Sequence, residues 1–403
     1  MKILVISQYY PPEPFRIGDI CEELVRRGHR VTVVTSRPNY PMGRIYPGYR
    51  GKQKSDETMG GVHVLRCGTI ARRRWPVFRL LNYYGYRFFA YARLRRIKES
   101  FDVVLINGLS PVLQAIPGIR YARKKGLKSV LYSMDLWPAS LAAGGIREGS
   151  LIYRHFERVS AFIYHRIDYI LYSSRTARDY LTSQFGIPED RLEYLPQHAE
   201  ACFSELQDEK PDPGLTEFLF AGNVGAAQNV PVILKAAALL QSTDAPIQIR
   251  IVGDGSRSEA GRELARELGL NNVIFEGRHP AEEMPQYYAR ADAMLVTLSG
   301  ETYCRLTLPG KVQSYFAAGK PVLGSADGET MDIIREAGCG DCVPSDDHIG
   351  LARIMLDFSV LPAGERARLG ENARRYYQAH FTPERFYARL EAVLQTEADQ
   401  SHA

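Results

Sequence analysis

The segment 299–323 carries residues whose types and spacing suit phosphate binding. Its sequence predicts a polar loop, a helix from about Lys311, a stop at Gly319 and a strand starting at Lys320. The first turn of a helix has N–H groups without intrahelical acceptors and the positive end of the helix dipole, and Lys311 adds a full charge there. We interpret this segment as a diphosphate site, with an ordinary loop and helix of an α/β domain as the alternative.

Glycine-containing loops follow three other predicted strands in the C-terminal half. In each loop, glycine allows the backbone to approach a phosphate and a polar residue follows: Gly222-Asn223, Gly253-Asp254 and Gly277-Arg278. Ligands bind at the carboxyl ends of parallel strands, so we expect these loops to meet the diphosphate segment in one crevice. Each loop alone is weak evidence, and their convergence is the stronger argument.

Three further side chains are candidates for contacts with a donor or an acceptor. Asp135 follows the strand predicted at 129–132, Glu301 lies in the loop before the diphosphate helix, and His198 lies near the junction of the two halves. Structural alternatives stay open, namely an N-cap of the following turn for Asp135 and a surface position for Glu301.

The elements that would position these residues alternate in type along the chain. Short β-branched runs and helix-length segments give the rhythm of parallel sheets twice, before and after a loop around residues 196–213. We therefore predict an α/β fold with two Rossmann-like, doubly wound parallel-sheet domains that face a central cleft. The predicted organisation is an N-terminal acceptor domain over 1–195, a linker over 196–213, a C-terminal sugar-nucleotide domain over 214–375 and a helical tail over 376–403. Strands are predicted at 3–7, 30–35, 62–66, 103–106, 129–132, 169–173, 218–221, 247–252, 273–275, 293–297 and 321–324.

The composition suits a cytoplasmic two-domain protein. The 403 residues, 45% of them hydrophobic, exceed what one core usually holds. The six cysteines show no paired framework, and the single Cys-x-x-Cys pair, Cys339 and Cys342, has no second pair or histidine cluster beside it. The apolar run at the N-terminus is too short for a signal peptide, and no run is long and apolar enough to span a bilayer.

Residues 71–98 form a basic and aromatic segment. It is rich in arginine and aromatic rings and contains no acidic residue. A helix with a wide apolar face and arginines at its edge suits an anionic membrane surface, and the alternative is a helix packed on its own sheet. The candidate membrane contacts are Arg72, Arg73, Arg74, Trp75 and Arg79. No nucleic-acid motif accompanies the charge, so we predict no nucleic-acid partner.

Six motifs that together span most of the chain carry a resemblance to a known family. They are Ser7–Glu13, Arg37–Pro41, Asp135–Pro138, Gly222-Asn223, Val252–Gly255 and Leu308–Tyr315. They resemble motifs of the retaining family-4 glycosyltransferases, and within them the bacterial polysaccharide branch that includes fucosamine transferases. The resemblance implies a GT-B fold of two Rossmann-like domains, with a sugar nucleotide bound mainly on the C-terminal domain.

The chain departs from the pattern of this family at the ribose site. Members commonly carry two glutamates eight positions apart, and the second holds the ribose hydroxyls. Counted back from Gly319, these positions are Leu306 and Ser314. Gln313 or Ser314 is still able to bond a ribose, but more weakly than a carboxylate would.

The chain also departs from the pattern at the leaving diphosphate. Asn223 and an uncharged stretch stand where members usually have arginine and lysine. We assign the stabilisation of the diphosphate to Lys311, with Arg305 second, and to the loop N–H groups of Leu306, Thr307 and Leu308. We predict no metal and no cofactor, because no Asp-x-Asp pair lies at a plausible strand end.

The resemblance implies transfer of an N-acetylated hexosamine or 6-deoxyhexosamine from a UDP-sugar. The acceptor would be a polyprenyl-diphosphate-linked saccharide used for bacterial surface polysaccharide, and the enzyme would lie peripherally on the inner face of the cell membrane. Two alternatives remain. One is a non-catalytic sugar-nucleotide-binding partner of an assembly complex, because both signature acids are missing. The other is a sugar-nucleotide 2-epimerase, whose catalytic acids we do not find in the sequence.

Overall fold

The chain forms two α/β units, each with its own sheet. The computed structural model describes residues 1–51, 53–73, 75–204, 206 and 214–402. The N-terminal unit comprises Met1–Ser173, Ala177–Leu195 and Tyr387–Ala403, and the C-terminal unit comprises Ser174–Thr176 and Pro196–Phe386. Part of the predicted linker lies outside the described residues, and so does the predicted membrane contact Arg74.

The N-terminal unit is built on eight strands. These are β1 (Lys2–Ile6), β2 (Arg30–Thr35), β3 (Asp56–Met59), β4 (Val62–Arg66), β5 (Val103–Gly108), β6 (Ser129–Ser133), β7 (Tyr169–Tyr172) and β8 (Leu192–Tyr194). Its helices are α1 (Ile17–Arg26), α2 (Pro76–Leu94), α3 (Ala115–Lys125), α4 (Leu151–Tyr164) and α5 (Thr176–Phe185), whose first residue falls in the other unit. The strand order is β3-β4-β2-β1-β5-β6-β7-β8, and only the β3–β4 pair is antiparallel. Helices cover this sheet, so the central strands are almost continuously apolar and buried.

The C-terminal unit has a six-stranded, wholly parallel sheet. Its strands are β9 (Thr216–Ala221), β10 (Ile247–Val252), β11 (Val273–Gly277), β12 (Ala293–Thr297), β13 (Val322–Ser325) and β14 (Gly340–Val343). Its helices are α6 (Val230–Gln241), α7 (Ser258–Glu267), α8 (Met284–Arg290), α9 (Thr302–Arg305), α10 (Gly310–Ala317), α11 (Glu329–Ala337), α12 (His348–Ser359) and α13 (Ala363–His380). The order β11-β10-β9-β12-β13-β14 reverses between β9 and β12, and such a reversal opens a crevice at the carboxyl ends of the strands.

All the predicted strands are present, with ends that differ by at most two residues. The strands β3, β8 and β14 were not predicted, and each lies at an edge of its sheet. Edge strands are short and half-exposed, so they do not need the apolar run by which central strands are recognised.

The last part of the chain does not form a separate tail. α13 packs against α10 in the C-terminal unit, whereas α14 (Pro383–His402) runs into the N-terminal unit. There Glu391 accepts hydrogen bonds from Arg27 (3.2 Å) and pairs with His29 (2.8 Å). The aromatic spacing of 376–403 therefore reflects packing. In the described part of the chain, no helix is long and apolar enough to cross a membrane.

Candidate active site

The loops after β9 and β12 meet at the reversal of strand order in the C-terminal unit. The Ser299 N–H donates to Ala227 O (2.9 Å), and the Thr297 hydroxyl donates to Gln228 O. These bonds join the first glycine loop to the end of β12 and to the start of the segment 299–309.

The helix α10 is fixed against the end of β9 by one tyrosine. The buried Tyr315 hydroxyl donates to Ala221 O (3.2 Å) and accepts from the Ala221 N–H (3.0 Å). Pro309 occupies the N-cap position, and the helix begins at Gly310, one residue before the predicted start. The first turn of α10 therefore lies beside the carboxyl end of β9.

Lys311 projects from this first turn onto the end of β9. Its Nζ lies 3.7 Å from the centroid of the Phe220 ring and has no hydrogen-bond partner among the described residues, although it is shielded from solvent. A Cβ atom at Gly222 would lie 3.1 Å from this Nζ, so the glycine leaves room for the lysine. Burial lowers the pKa of Lys311 to about 7. A buried amine without a partner favours an incoming anion, which would stabilise its charged form.

Gly222 and Gly253 adopt backbone conformations that favour glycine. Gly222 has φ +130° and Gly253 has φ +144°, and a Cβ at Gly253 would lie 1.8 Å from Gly222 O. No other residue fits this close approach of two loops. The N–H groups of these glycines donate to Val252 O (2.9 Å) and Gly277 O (2.7 Å), so the two glycines join neighbouring strand ends, and Gly222 lies beside the Lys311 amine.

The side chains beside these glycines are exposed at successive strand ends. Asn223 donates to Gln228 Oε1 (3.2 Å), and Asp254 accepts from the Gly255 N–H (2.7 Å). Arg278 follows β11 at the sheet edge, two strands away from β9.

The loop 299–309 departs in detail from the prediction. Glu301 is exposed at the N-cap of α9 and its side chain makes no capping bond. Arg305 is engaged in an ion pair with Asp327 (3.1 Å). The N–H groups of Leu306 and Thr307 both point to Cys304 O, so they close the short helix instead of facing a ligand. The Leu308 side chain is buried.

The position expected to hold ribose carries a carboxylate from elsewhere in the sequence. Ser314 is buried, and its hydroxyl donates to Glu200 Oε2 over 3.0 Å. The Gln313 amide, oriented so that its nitrogen meets acceptors, donates to Pro309 O (2.9 Å) and Gly310 O (3.0 Å). Gln313 is thus committed to its own helix, and Glu200 is a candidate that sequence reasoning missed.

The segment that carries Glu200 is held in place by backbone bonds. The Ala199 N–H donates to Phe381 O (3.3 Å), and Glu200 O accepts from the Phe203 N–H (3.2 Å). His198 is buried in the same segment, with its Nδ1 2.8 Å from Ala199 O and its ring 5.0 Å from that of Phe386. The structure thus places His198 in the packing of the C-terminal unit.

In the N-terminal unit, Asp135 joins the ends of β5 and β6. Its Oδ2 accepts from the Ser110 N–H (2.7 Å), and its own N–H donates to Gly108 O (3.1 Å). The N-cap alternative is wrong, because the turn that follows starts at Ala139 and Pro138 takes its N-cap position. Burial raises the pKa of Asp135, and hydrogen bonds from Ser110 oppose this. Asp135 lines a small cavity together with Gln114.

Glu13 connects the motif Ser7–Glu13, to which it belongs, with the motif Arg37–Pro41. Its carboxylate accepts from the N–H groups of Asn39 and Tyr40 (2.8 Å each) and from the Tyr10 N–H (3.3 Å). Burial raises the pKa of Glu13 to about 7. The motifs Ser7–Glu13 and Arg37–Pro41 are therefore two loops fixed to each other at the carboxyl ends of β1 and β2.

Most of the basic and aromatic segment forms α2. Trp75 is 72% exposed just before the helix, and Arg73 and Arg79 are exposed. Arg72 is half-buried over the rings of Tyr40 and Tyr83, so part of its role is structural.

Among the described residues, no three histidine, cysteine or acidic side chains are grouped as metal ligands. Cys339 and Cys342 are buried free thiols, and each donates to a backbone carbonyl over 3.7 Å.

Comparisons with known proteins agree with this architecture. The family described as glycosyl transferase 4-like domain matches residues 15–198, and the family described as glycosyl transferases group 1 matches residues 204–376. The chain is a glycosyltransferase that combines these two domains, and it belongs to the group with the GT-B fold.

Individual relatives and solved structures are similar over most of their length. The putative colanic acid biosynthesis glycosyl transferase WcaI of Escherichia coli is 26% identical over 82% of this chain and 84% of its own. A GDP-mannose-dependent alpha-mannosyltransferase of Mycobacterium tuberculosis is 23% identical over 85% and 84%. Sucrose-phosphate synthase of Thermosynechococcus elongatus has a TM-score of 0.77 at 17% identity, over 98% of both chains. Anabaena HepE, solved in complex with UDP, has a TM-score of 0.70 at 14% identity, over 98% of this chain and 100% of its own.

Proposed function

We propose that the protein is a retaining glycosyltransferase that transfers a sugar from a UDP-sugar to a polyprenyl-diphosphate-linked saccharide in bacterial surface polysaccharide synthesis. The observation that carries the donor side is the buried, unpartnered Nζ of Lys311 at the first turn of α10. A diphosphate there would meet the lysine charge and the positive end of the α10 helix dipole.

The reaction breaks the bond between the anomeric carbon and the diphosphate and forms a bond to the acceptor oxygen. The leaving diphosphate oxygen takes the proton of the acceptor hydroxyl on the same face of the sugar, so no protein base is required. Lys311 stabilises the charge that develops on the diphosphate, and no metal is needed. Arg305 is a second source of charge, although its pair with Asp327 has to open or be shared.

Several other residues receive roles in this proposal. Glu200 and Ser314 hold the ribose hydroxyls, because a carboxylate accepts two vicinal hydroxyls more strongly than neutral groups do. Glu301 is exposed beside the donor loop and contacts sugar hydroxyls. Asp135 faces the acceptor from the N-terminal unit.

The sugar we propose is an N-acetylated hexosamine or a 6-deoxyhexosamine, in line with the resemblance to fucosamine transferases. The name of WcaI, which refers to colanic acid, supports a role in surface polysaccharide. The UDP bound in the HepE structure supports a UDP-sugar donor, whereas the mannosyltransferase relative is named for GDP-mannose. The lipid-linked acceptor implies a peripheral position on the inner membrane face, through the segment 71–98.

A donor screen tests this proposal. The thermal unfolding temperature of the purified protein is measured with UDP, GDP, UDP-sugars and GDP-mannose. Radiolabelled UDP-sugars are then tested for transfer to a polyprenyl-diphosphate-linked acceptor. We expect stabilisation by UDP and a product whose anomeric configuration matches that of the donor. Stabilisation by GDP compounds alone, or an inverted product, would contradict it.

A further inference from the structure

The exposed apolar residues of the N-terminal unit are concentrated on two helices. On α2 they include Val77, Leu81 and Phe88, which is 59% exposed, and on α4 they include Leu151, which is 85% exposed, and Phe162. Spacings of four, seven and eleven residues place each set on one outer helix face. Exposed apolar side chains grouped in this way mark a contact surface.

The two faces are joined to each other. The Tyr84 hydroxyl of α2 and the His155 Nε2 of α4 lie 2.7 Å apart, in a hydrogen bond between exposed parts of both helices. Both helices also pack against the turn Val112–Gln114 and against α3. The two apolar stripes therefore form one surface.

The charge around this surface is mainly basic. Arg73 stacks on Phe78 (5.0 Å) and Arg87 on Phe88 (4.8 Å), while Arg166 lies 3.8 Å above the Phe162 ring just after α4. The segment 71–98 has no acid, and Glu157, the only acid of α4, is on the side opposite Leu151 and Ile152. Apolar side chains rimmed by arginines are complementary to a bilayer with anionic headgroups.

The inner faces of the same helices reach the strand ends of this unit. Asn82 of α2 accepts a hydrogen bond from Gln8 (2.7 Å), which follows β1. The Tyr164 hydroxyl of α4 accepts from the Trp137 N–H (3.1 Å) in the loop after β6. A surface on the outer side of α2 and α4 is therefore connected directly to the loops where an acceptor would bind.

We infer that α2 and α4 together form the membrane-docking face, and that Leu151, Ile152 and Phe162 enter the interfacial region of an anionic bilayer beside the α2 side chains. This inference rests on the proposed function, because a lipid-linked acceptor requires the enzyme to reach the membrane. It adds α4 as a second anchor, which the basic segment alone would not provide.

Co-sedimentation with phosphatidylglycerol–phosphatidylcholine and pure phosphatidylcholine vesicles tests the inference. The variant Leu151→Ser/Ile152→Ser removes apolar anchors and leaves every charge in place, and Arg73→Ser/Arg79→Ser removes two charges. A matched control is Ile349→Ser/Val360→Ser, two apolar residues of the C-terminal unit that are 66% and 75% exposed. We expect each docking variant to bind anionic vesicles about tenfold or more weakly than the wild type, and the control to bind as the wild type does. The difference from the wild type should shrink with added salt only for the arginine variant, because salt screens the charges that this variant lacks.

The outcomes separate the inference from the proposed function. If the wild type and the Leu151→Ser/Ile152→Ser variant pellet equally with anionic vesicles, the role of α4 is overturned and α2 is left as the anchor. If the wild type does not pellet with anionic vesicles, the docking face is wrong. The transferase assay with a detergent-dispersed acceptor, in which all variants should retain wild-type turnover, then decides on the proposed reaction independently. Melting curves confirm that these surface variants fold.

Discussion

Replacing Lys311 by methionine removes the amine and keeps most of the side-chain volume. An electrostatic contact made to a developing charge in a site shielded from water contributes about 2–4 kcal/mol, so we expect turnover to fall ~30- to 1000-fold. The assay is initial-rate release of UDP from the donor that the screen identifies, with melting curves to show that the variant is folded. Glu301→Gln, in the exposed loop beside the site, is the comparison and should lose less. Retention of more than half the wild-type activity by Lys311→Met would refute the diphosphate assignment.

The same variant has an expected signature in pH. Because burial lowers the pKa of Lys311 to about 7, diphosphate binding above pH 7 requires proton uptake. Wild-type affinity for UDP should therefore fall about tenfold per pH unit above 7, relative to Lys311→Met. In the unfolded chain the lysine keeps its ordinary pKa of 10.5, so the unfolded state binds more protons between pH 7 and 10.5. Wild-type stability should rise with pH across this window by ~1.4 kcal/mol per unit, whereas that of the variant should not. Parallel pH profiles of the two proteins would contradict the burial of the amine.

Two further predictions concern the ribose and the metal. Glu200→Gln should weaken UDP binding by about 1.5–3 kcal/mol and should abolish most of the preference for UDP over 2′-deoxy-UDP. Calorimetry measures both effects, and Ser314→Ala is the partner in a double-mutant cycle. An unchanged preference would show that Glu200 does not bind the ribose. Activity should persist in EDTA, because Lys311 and the helix dipole supply the charge, and a requirement for added Mg²⁺ or Mn²⁺ in the chemical step would contradict this.

The parts of the fold that the sequence predicts are those dominated by local signals. Central strands of a parallel sheet are buried on both faces, so their β-branched runs are readable, and Gly222 and Gly253 mark loops that only glycine fits. The position of Lys311 in the first turn of a helix was predictable for a similar reason, because a loop followed by a helix start has a recognisable sequence pattern.

The parts that were missed depend on contacts between distant residues. Glu200 lies 114 positions before Ser314 in the chain, and no local pattern joins them. The ion pair that occupies Arg305 likewise involves Asp327, which follows another strand. The N–H groups of Leu306 and Thr307 were predicted to face a ligand, since the four-residue helix that uses them is too short to be recognised from spacing.

In the function that we propose, Lys311 also links the presence of a bound diphosphate to the charge of its own amine. Buried cations are usually paired, and a lysine without a partner destabilises the fold. An amine with a pKa near 7 reduces this cost by releasing its proton when the site is empty, and takes it up when a diphosphate arrives. Departure of the nucleoside diphosphate product would then be coupled to loss of that proton. A higher pH should therefore favour product release while it weakens donor binding, so KM for the donor should rise with pH more steeply than kcat falls. A pH profile in which kcat falls as steeply as KM rises would show that the lysine charge is lost in the bound state as well, and would refute this coupling.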